Sequence, residues 1–594
     1  MLSRPLRGSS STHGPLVRST GAVLVVALLV GATCGTSETP PGAGEVREFI
    51  DLGRWPQAEV AARELLQKAE EENGTTSRAA ADARDLLVTA LIANGRAFEP
   101  GTRELAERAV ELRLELDGPD ALAVTESLLN QGNVLKENRR LEEAEEVLES
   151  ALAIREREIG PDHLETARIL NELGSVAYRG RDPDLAEARY GRALAMLEAR
   201  VGRDHPECAV SLTGLSASMV LRRQLPEAER YRLRSLDVRR SALGPGHPMT
   251  AESMRALAVL WHRMGKDQQA EALLRQAVDT LEKSLGPEHP QTGSALNSLA
   301  ILVRDRGRYA EARGLFERAL EVFETSDDPL NPGIAGVLNN LAAVYRELGD
   351  FTRAEACLRR SLAIREARYS PDHPAVAQSL GNLANVIIEA GRPAEAVPLQ
   401  NRALAIKERV YGRSSVEYAA TLSSLGRALR ATGDLDRAER SLEEAVATFE
   451  AQLGPDNTIV ADQLNNLALV RHDEVDLDAA RAGFLRAIEI RRTAEGQDHP
   501  LVGRYQYNLA RVEADGGRFD RAVDSALQAE ALGRSTLQLT ARGLAEDEAI
   551  GFDQHTRNRL DLLLAFSLRW PQHTARVWDA LIRSRGLVLN ELVA

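Results

Sequence analysis

The fold this sequence predicts is an all-α solenoid, a right-handed superhelix of tandem antiparallel helix pairs. Three observations predict it. The turn Gly286-Pro287-Glu288-His289-Pro290 recurs as Gly160-Pro161-Asp162-His163, Gly202-Arg203-Asp204-His205-Pro206, Gly244-Pro245-Gly246-His247-Pro248 and Gly496-Gln497-Asp498-His499-Pro500. Weaker copies begin at Gly118, Asp328, Ser370, Gly412 and Gly454, so ten starts follow one another every 42 residues without slippage. So strict a period marks a stacked repeat array. Finally, 43% of the 594 residues are apolar but only 4% aromatic, which suits helices packed through Leu and Ala rather than sheets.

The chain divides into an export signal (1–34), a linker (35–45), the repeats (46–530) and an irregular segment with terminal helices (531–594). Residues 1–20 carry Arg4, Arg7 and Arg18 and no acid, and Ala22 to Ala32 is an uncharged apolar run followed by the loose stretch Thr33 to Gly44. That order is an export signal, and the run is short for a membrane-spanning helix. Cleavage after Ala32, retention as an anchor, and a misplaced start codon all stay open. Gly31-Ala32-Thr33-Cys34 also resembles the lipobox of bacterial lipoproteins, which implies lipidation of Cys34, although Gly31 and Thr33 depart from the usual pattern. The resulting expectation is a periplasmic or cell-envelope protein whose one link to a membrane is that N-terminal anchor.

Within one repeat, Pro290 suits a helix first turn, where its missing amide would have no partner. Glu288 and His289 offer side chains to the free amides there. A first helix follows to about Arg306 with Leu296, Leu299, Ala300 and Val303 on one face. Gly307 supplies a left-handed stop, as do Gly265, Gly349, Gly391, Gly433 and Gly517, while Arg139, Arg181, Arg223 and Val475 break that series. A second helix begins near Tyr309 and turns Ala312, Phe316, Ala319 and Leu320 inward. Small residues recur where the two helices cross: Gly132, Gly174, Ser216, Ala258 and onward in the first helix, Ala144, Ala186, Ala228 and onward in the second. Larger ones would hold the axes apart.

The Leu-Ala pair, the Gly turn and the Ala-bulky-Ala second helix resemble the tetratricopeptide repeat. The 42-residue length and Gly-Pro-Asp-His-Pro linker resemble its kinesin-light-chain variety. Gly53-Arg54-Trp55 with Ala58 reads as a leading half-repeat, Gly95-Arg96 opens a unit shifted by two residues, and Pro398 is expected to kink a second helix. Beyond Leu532 the register is lost. Ser535 to Ile550 reads as irregular, then Arg559–Trp570 and Thr574–Val593 as two helices. The run Val577 to Glu591 resembles the segment joining bacterial repeats to a CHAT domain, a caspase-like peptidase module that does not follow here; a plain capping pair is the other reading.

The formal net charge of −14 argues against a nucleic-acid partner, which requires concentrated positive charge. Three cysteines, Cys34, Cys208 and Cys357, fit neither a disulfide framework nor a zinc site. Six histidines (His163, His205, His247, His289, His373, His499) share one loop position a repeat apart, too far to share an ion, and read as caps. No phosphate loop, nucleophile elbow or His-Glu-x-x-His helix is present, so no enzyme, cofactor or metal is expected. Function is expected to be binding of a partner peptide or protein, the alternative being the sensor half of a repeat–CHAT peptidase system.

Residues seven apart on a helix share a face. Asn297 with Arg304, Asn339 with Arg346, Ser423 with Arg430 and Asn465 with His472 are so placed, bordered by Asn340, Asn382, Asn466 and Asn508. Resemblance to other tetratricopeptide arrays makes this the concave side. Asn donates and accepts to a peptide backbone and Arg grips carboxylates. The alternative is that each Asn bonds the neighbouring repeat while Asp305, Glu347 and Asp473 neutralise the basic row.

Overall fold

In the computed structural model, residues 42–541 and 561–583 are described, apart from 52–53, 162, 326–327, 370, 498 and 581. Among them there are helices and no strand. Contacts divide the chain into two units, the division falling between Leu302 and Val303. The first unit opens with α1 (Ala43–Asp51) and α2 (Trp55–Asn73), a helix pair where the sequence suggests only the second half of a repeat. First and second helices then alternate: α3 (Arg78–Ala93), α4 (Pro100–Asp117), α5 (Leu122–Glu137), α6 (Leu141–Ile159), α7 (Leu164–Arg179), α8 (Pro183–Val201), α9 (Cys208–Leu221), α10 (Leu225–Leu243), α11 (Pro248–Arg263), α12 (Asp267–Ser284) and α13 (Pro290–Asp305). The second unit continues through α14 (Tyr309–Glu324), α15 (Pro332–Glu347), α16 (Phe351–Arg368), α17 (Pro374–Glu389), α18 (Pro393–Tyr411), α19 (Val416–Thr432), α20 (Leu435–Leu453), α21 (Thr458–Asp473), α22 (Leu477–Glu495), α23 (Pro500–Asp515) and α24 (Phe519–Ala541). The molecule is an α-solenoid of antiparallel helix pairs.

The small-residue rule holds throughout. The ten second-helix alanines from Ala144 to Ala522 are fully buried, as are Ala258, Ala300, Ala384 and Ala510 across from them. Ser216 takes the same place by donating its hydroxyl to Ala228 O at 2.9 Å, so no buried polar group is stranded. Between pairs, the linker glycines adopt φ of 77–97° with ψ of 153–165°, a region open only to glycine.

The turn inside each pair is less dependent on glycine. Gly307 has φ 78°, with Arg308 N–H donating to Val303 O in a Schellman closure. Arg139, Arg181, Arg223 and Val475 keep the same left-handed turn at φ 61–66°, and Asp476 N–H closes it onto Arg471 O at 2.9 Å. Residues that interrupt the glycine series therefore leave the geometry intact, because packing of the pair imposes the turn. Pro398 lies within an unbroken α18. In α24 the helix runs past Ser535 to Ala541, beyond the start of the stretch read as irregular. Residues 561–569 and 574–580 are helical, and Phe566, Trp570 and Val577 pack on Ala522 and Val523.

Five of the six loop histidines cap a helix, and His205 bonds the Glu207 amide in the turn just ahead of α9. In each, Nδ1 accepts from the amide two residues on, at 3.1–3.4 Å. Asn331 and Asn457 do the same in their repeats, at 2.8 and 2.9 Å. An accepting Nδ1 must be unprotonated, so the cap is a feature of the neutral ring. Burial lowers the pKa of His247, with the nearby Arg239 charge adding to it. Burial also lowers that of His499 against the pull of Glu495. A folded pKa below the unfolded value of about 6.5 makes the cap's contribution complete above that pH, and it is lost as pH falls through the folded value. Melting temperature should thus drop between about pH 6.5 and 5. Changing His247 and His499 to Asn should remove part of the drop and cost about 1 kcal/mol or less at pH 7.5. An unchanged pH profile in the double variant would refute the cap account.

Candidate functional site

Four of the asparagines singled out on the first helices come together in pairs one repeat apart. Asn382 Nδ2 on α17 donates to Asn339 Oδ1 on α15 at 2.9 Å. Asn508 Nδ2 on α23 repeats the bond to Asn465 Oδ1 on α21 at 2.9 Å, both side chains buried. Ser423 Oγ on α19 donates to Gln463 Oε1 on α21. In the first unit, Ser211 Oγ donates to Asn171 Oδ1 at 2.8 Å, and Ser127 Oγ to Asp85 Oδ2 at 2.7 Å. Asn340 is buried, and Asn297 and Asn466 are half-buried. A polar column between successive first helices results, and it accounts for much of the asparagine pattern on its own.

The basic row is neutralised. Arg304 pairs with Asp305 at 2.7 Å. Arg346 pairs with Glu347 at 2.6 Å and Glu389 at 3.7 Å. Arg430 pairs with Asp473 at 2.6 Å, and His472 Nε2 meets Asp515 Oδ2 at 2.8 Å. Burial works against the Arg346 charge, but the hydrogen bond to Glu347 and the two carboxylates outweigh it and raise its pKa. These pairs are half-exposed, so each contributes modestly to stability.

A second set of cations was not anticipated. Arg155, Arg239, Arg365 and Arg491 occupy one register of the second helix, separated by multiples of 42 residues. Arg239 Nη1 donates to Met249 O at 3.2 Å and Ser253 Oγ at 2.9 Å. Arg365 Nη1 reaches Ala375 O at 2.9 Å and Ser379 Oγ at 3.0 Å. Each stitches a second helix to the start of the next first helix. Burial lowers Arg365 to about 10 and, in the same register, Lys407 to about 8. Their shared spacing was the available signal, masked because Leu197, Leu281, Phe323 and Phe449 alternate with them.

Among the described residues no cluster of three or more His, Cys, Asp or Glu is arranged to hold a metal ion, and no helix is long and apolar enough to cross a membrane. Cys208 is buried and Cys357 half-buried, and burial raises the thiol pKa of both, Cys208 to about 11. Cys34 lies outside the described residues.

The tetratricopeptide-repeat profile matches residues 123–199, 207–283, 262–325, 333–409, 380–451 and 460–535. The chain belongs to the tetratricopeptide-repeat family. Among solved structures it is similar to a protein of Podosopora anserina described as a kinesin light chain with nearly identical TPR-like repeats. Identity is 27%, over 35% of this chain and 97% of that one, at a TM-score of 0.32. BtubC (BKLC) from P. vanneervenii matches at 22% identity over 39% and 91%, with a TM-score of 0.33. A Rap protein complexed with competence and sporulation factor matches at 14% over 62% and 97%, with a TM-score of 0.43. No curated protein sequence matches.

Proposed function

We propose that this chain is a non-enzymatic interaction scaffold, which holds an extended peptide or protein segment along the concave side formed by its first helices. One observation carries the reading. On α17, one turn from Asn382, Asn385 Oδ1 is shut off from solvent and accepts from no donor among the described residues. Buried acceptors of that kind call for a partner, and a peptide N–H laid beside the Asn339–Asn382 bond supplies one. Arg346 then stands ready to exchange a carboxylate neighbour for one from the ligand.

The test is capture of partners from a periplasmic extract, with partners identified by mass spectrometry. Changing Asn339, Arg346 and Asn382 together to Ala should cost about 1 kcal/mol of stability through the lost hydrogen bond and reduce capture roughly tenfold. Asn385→Ala, whose Oδ1 holds no internal bond, should reduce capture without lowering the melting temperature. Undiminished capture by both variants defeats the reading; a collapse of the fold in the triple variant would make the column purely structural.

Export is part of the same proposal, supported by residues 1–34, with lipid carried on Cys34. Cys34→Ala should shift the mature protein from the membrane to the soluble envelope fraction, and an unchanged distribution counts against the lipid. A second reading, the sensor half of a repeat–peptidase system, draws on Trp578 and Ile582. They lie four residues apart near the end of the described residues and are 50% and 66% exposed, apolar side chains suited to a neighbouring domain.

A further inference from the structure

In the unit of residues 42–302, one contact skips the neighbours. Repeats of a solenoid touch the repeats on either side of them. Trp55, at the head of α2, and His289, in the loop between α12 and α13, are 234 residues apart, with the five helix pairs from α3 to α12 between them. Their ring centroids nevertheless stand 6.0 Å apart, at an interplanar angle of 59°, within the range of a tilted aromatic pair. The array of this unit therefore curls far enough for the start of α2 to meet a loop near the unit's end.

Both rings are firmly mounted. One turn along from Trp55, Glu59 is 5% exposed, accepts from Asn94 Nδ2 at 2.8 Å and pairs with Arg96, which ties the head of α2 to the α3–α4 turn. Across the contact, His289 Nδ1 accepts from Gln291 N–H at 3.2 Å, and Thr292 Oγ1 donates to Gly286 O at 2.9 Å. The cap itself requires only an acceptor, as Asn331 and Asn457 show at the same loop position, so the imidazole ring is the part that the cap does not need. Among the described second helices Trp55 is the one tryptophan at a helix head, where Leu141, Leu225, Tyr309 and Phe351 stand elsewhere. The junction is weakly held all the same. Trp55 Nε1 is shut off from solvent and has no acceptor among the described residues, and an orphaned N–H costs about as much as a tilted ring pair contributes.

We propose that Trp55 and His289 form a reversible clasp, which holds the two ends of this unit together when closed and lets the unit lengthen when open. Two rigid mounts leave the give to the five helix pairs between them. Small rotations at successive interfaces add up along a solenoid, so about 2 Å at each of five pairs parts the rings by about 10 Å without unfolding any repeat. Closed, the clasp fixes the curvature of α3 to α12; open, it frees it.

The test is a distance across the contact. In the full chain, Glu64 and Lys283, both exposed, are replaced by p-acetylphenylalanine carrying nitroxide labels. Pulsed electron double resonance then reads their separation in the otherwise native chain, in W55A and in H289N. Asparagine keeps the cap, as at Asn331 and Asn457, so H289N removes the ring without loosening α13 and decides the matter if W55A does not fold. The otherwise native chain should give one narrow distribution. Both variants should lengthen the mean by about 10 Å and broaden it, with melting temperatures close to that of the native chain. An unchanged distance in either folded variant, or a broad distribution in the otherwise native chain, overturns the clasp.

Discussion

Gly214→Ala is expected to destabilise the unit of residues 42–302 by about 3 kcal/mol, against the rule that alanine improves a helix interior by about 1 kcal/mol over glycine. The reason is Tyr190. Its ring is buried at 6% exposure and wedged between two first helices, where a Cβ on Gly214 would stand 2.3 Å from Cε1 and 2.4 Å from Cζ. On the opposite side a Cβ on Gly174 would meet the same ring at 2.9 Å. Ring and backbones have no room to separate without opening the α7–α8–α9 packing. Tyr190→Leu, the residue found in the same register at Leu148, Leu274 and Leu358, should make Gly214→Ala tolerable. The pair should then be strongly non-additive in denaturant melts. A stabilised single variant, or simple additivity, would show that the ring can move aside.

Much of this molecule was legible before its structure because a repeat states its rules ten times. The buried alanines, the left-handed turns and the capping role of the histidines all followed from residues recurring at one offset. What was hidden depends on departures from the repeat or on geometry between repeats. Gly214 escaped notice because only the repeat before it places a tyrosine in that register, so no series of glycines announces the contact. The sequence puts Asn339 on a shared face and Asn382 at its border, yet the bond between them joins residues 43 apart, one off the period. That offset is set by how neighbouring first helices cross, which no single repeat encodes. Likewise Asn331 and Asn457 cap as the histidines do, because the loop requires an acceptor at that point rather than an imidazole. Arg139 and Val475 hold a turn that sequence assigns to glycine since the pair of helices, once packed, leaves the chain no other path.

Each 42-residue segment is an interchangeable building block whose stability comes from its neighbours. Removing residues 412–453 takes out one block, α19 with α20, and joins Tyr411 to Gly454. That glycine, at φ 89° and ψ 153°, stands in for Gly412 at φ 77° and ψ 162°. Removing residues 412–432 instead takes out α19 alone and leaves two second helices in succession, with Ala438 and Leu442 deprived of the first helix that buries them at Gly426. Thermal melting followed by circular dichroism decides between the outcomes. The 42-residue deletion should melt cooperatively within a few degrees of the full chain, and the 21-residue deletion should lose its cooperative transition. Equal behaviour of the two deletions would contradict the account.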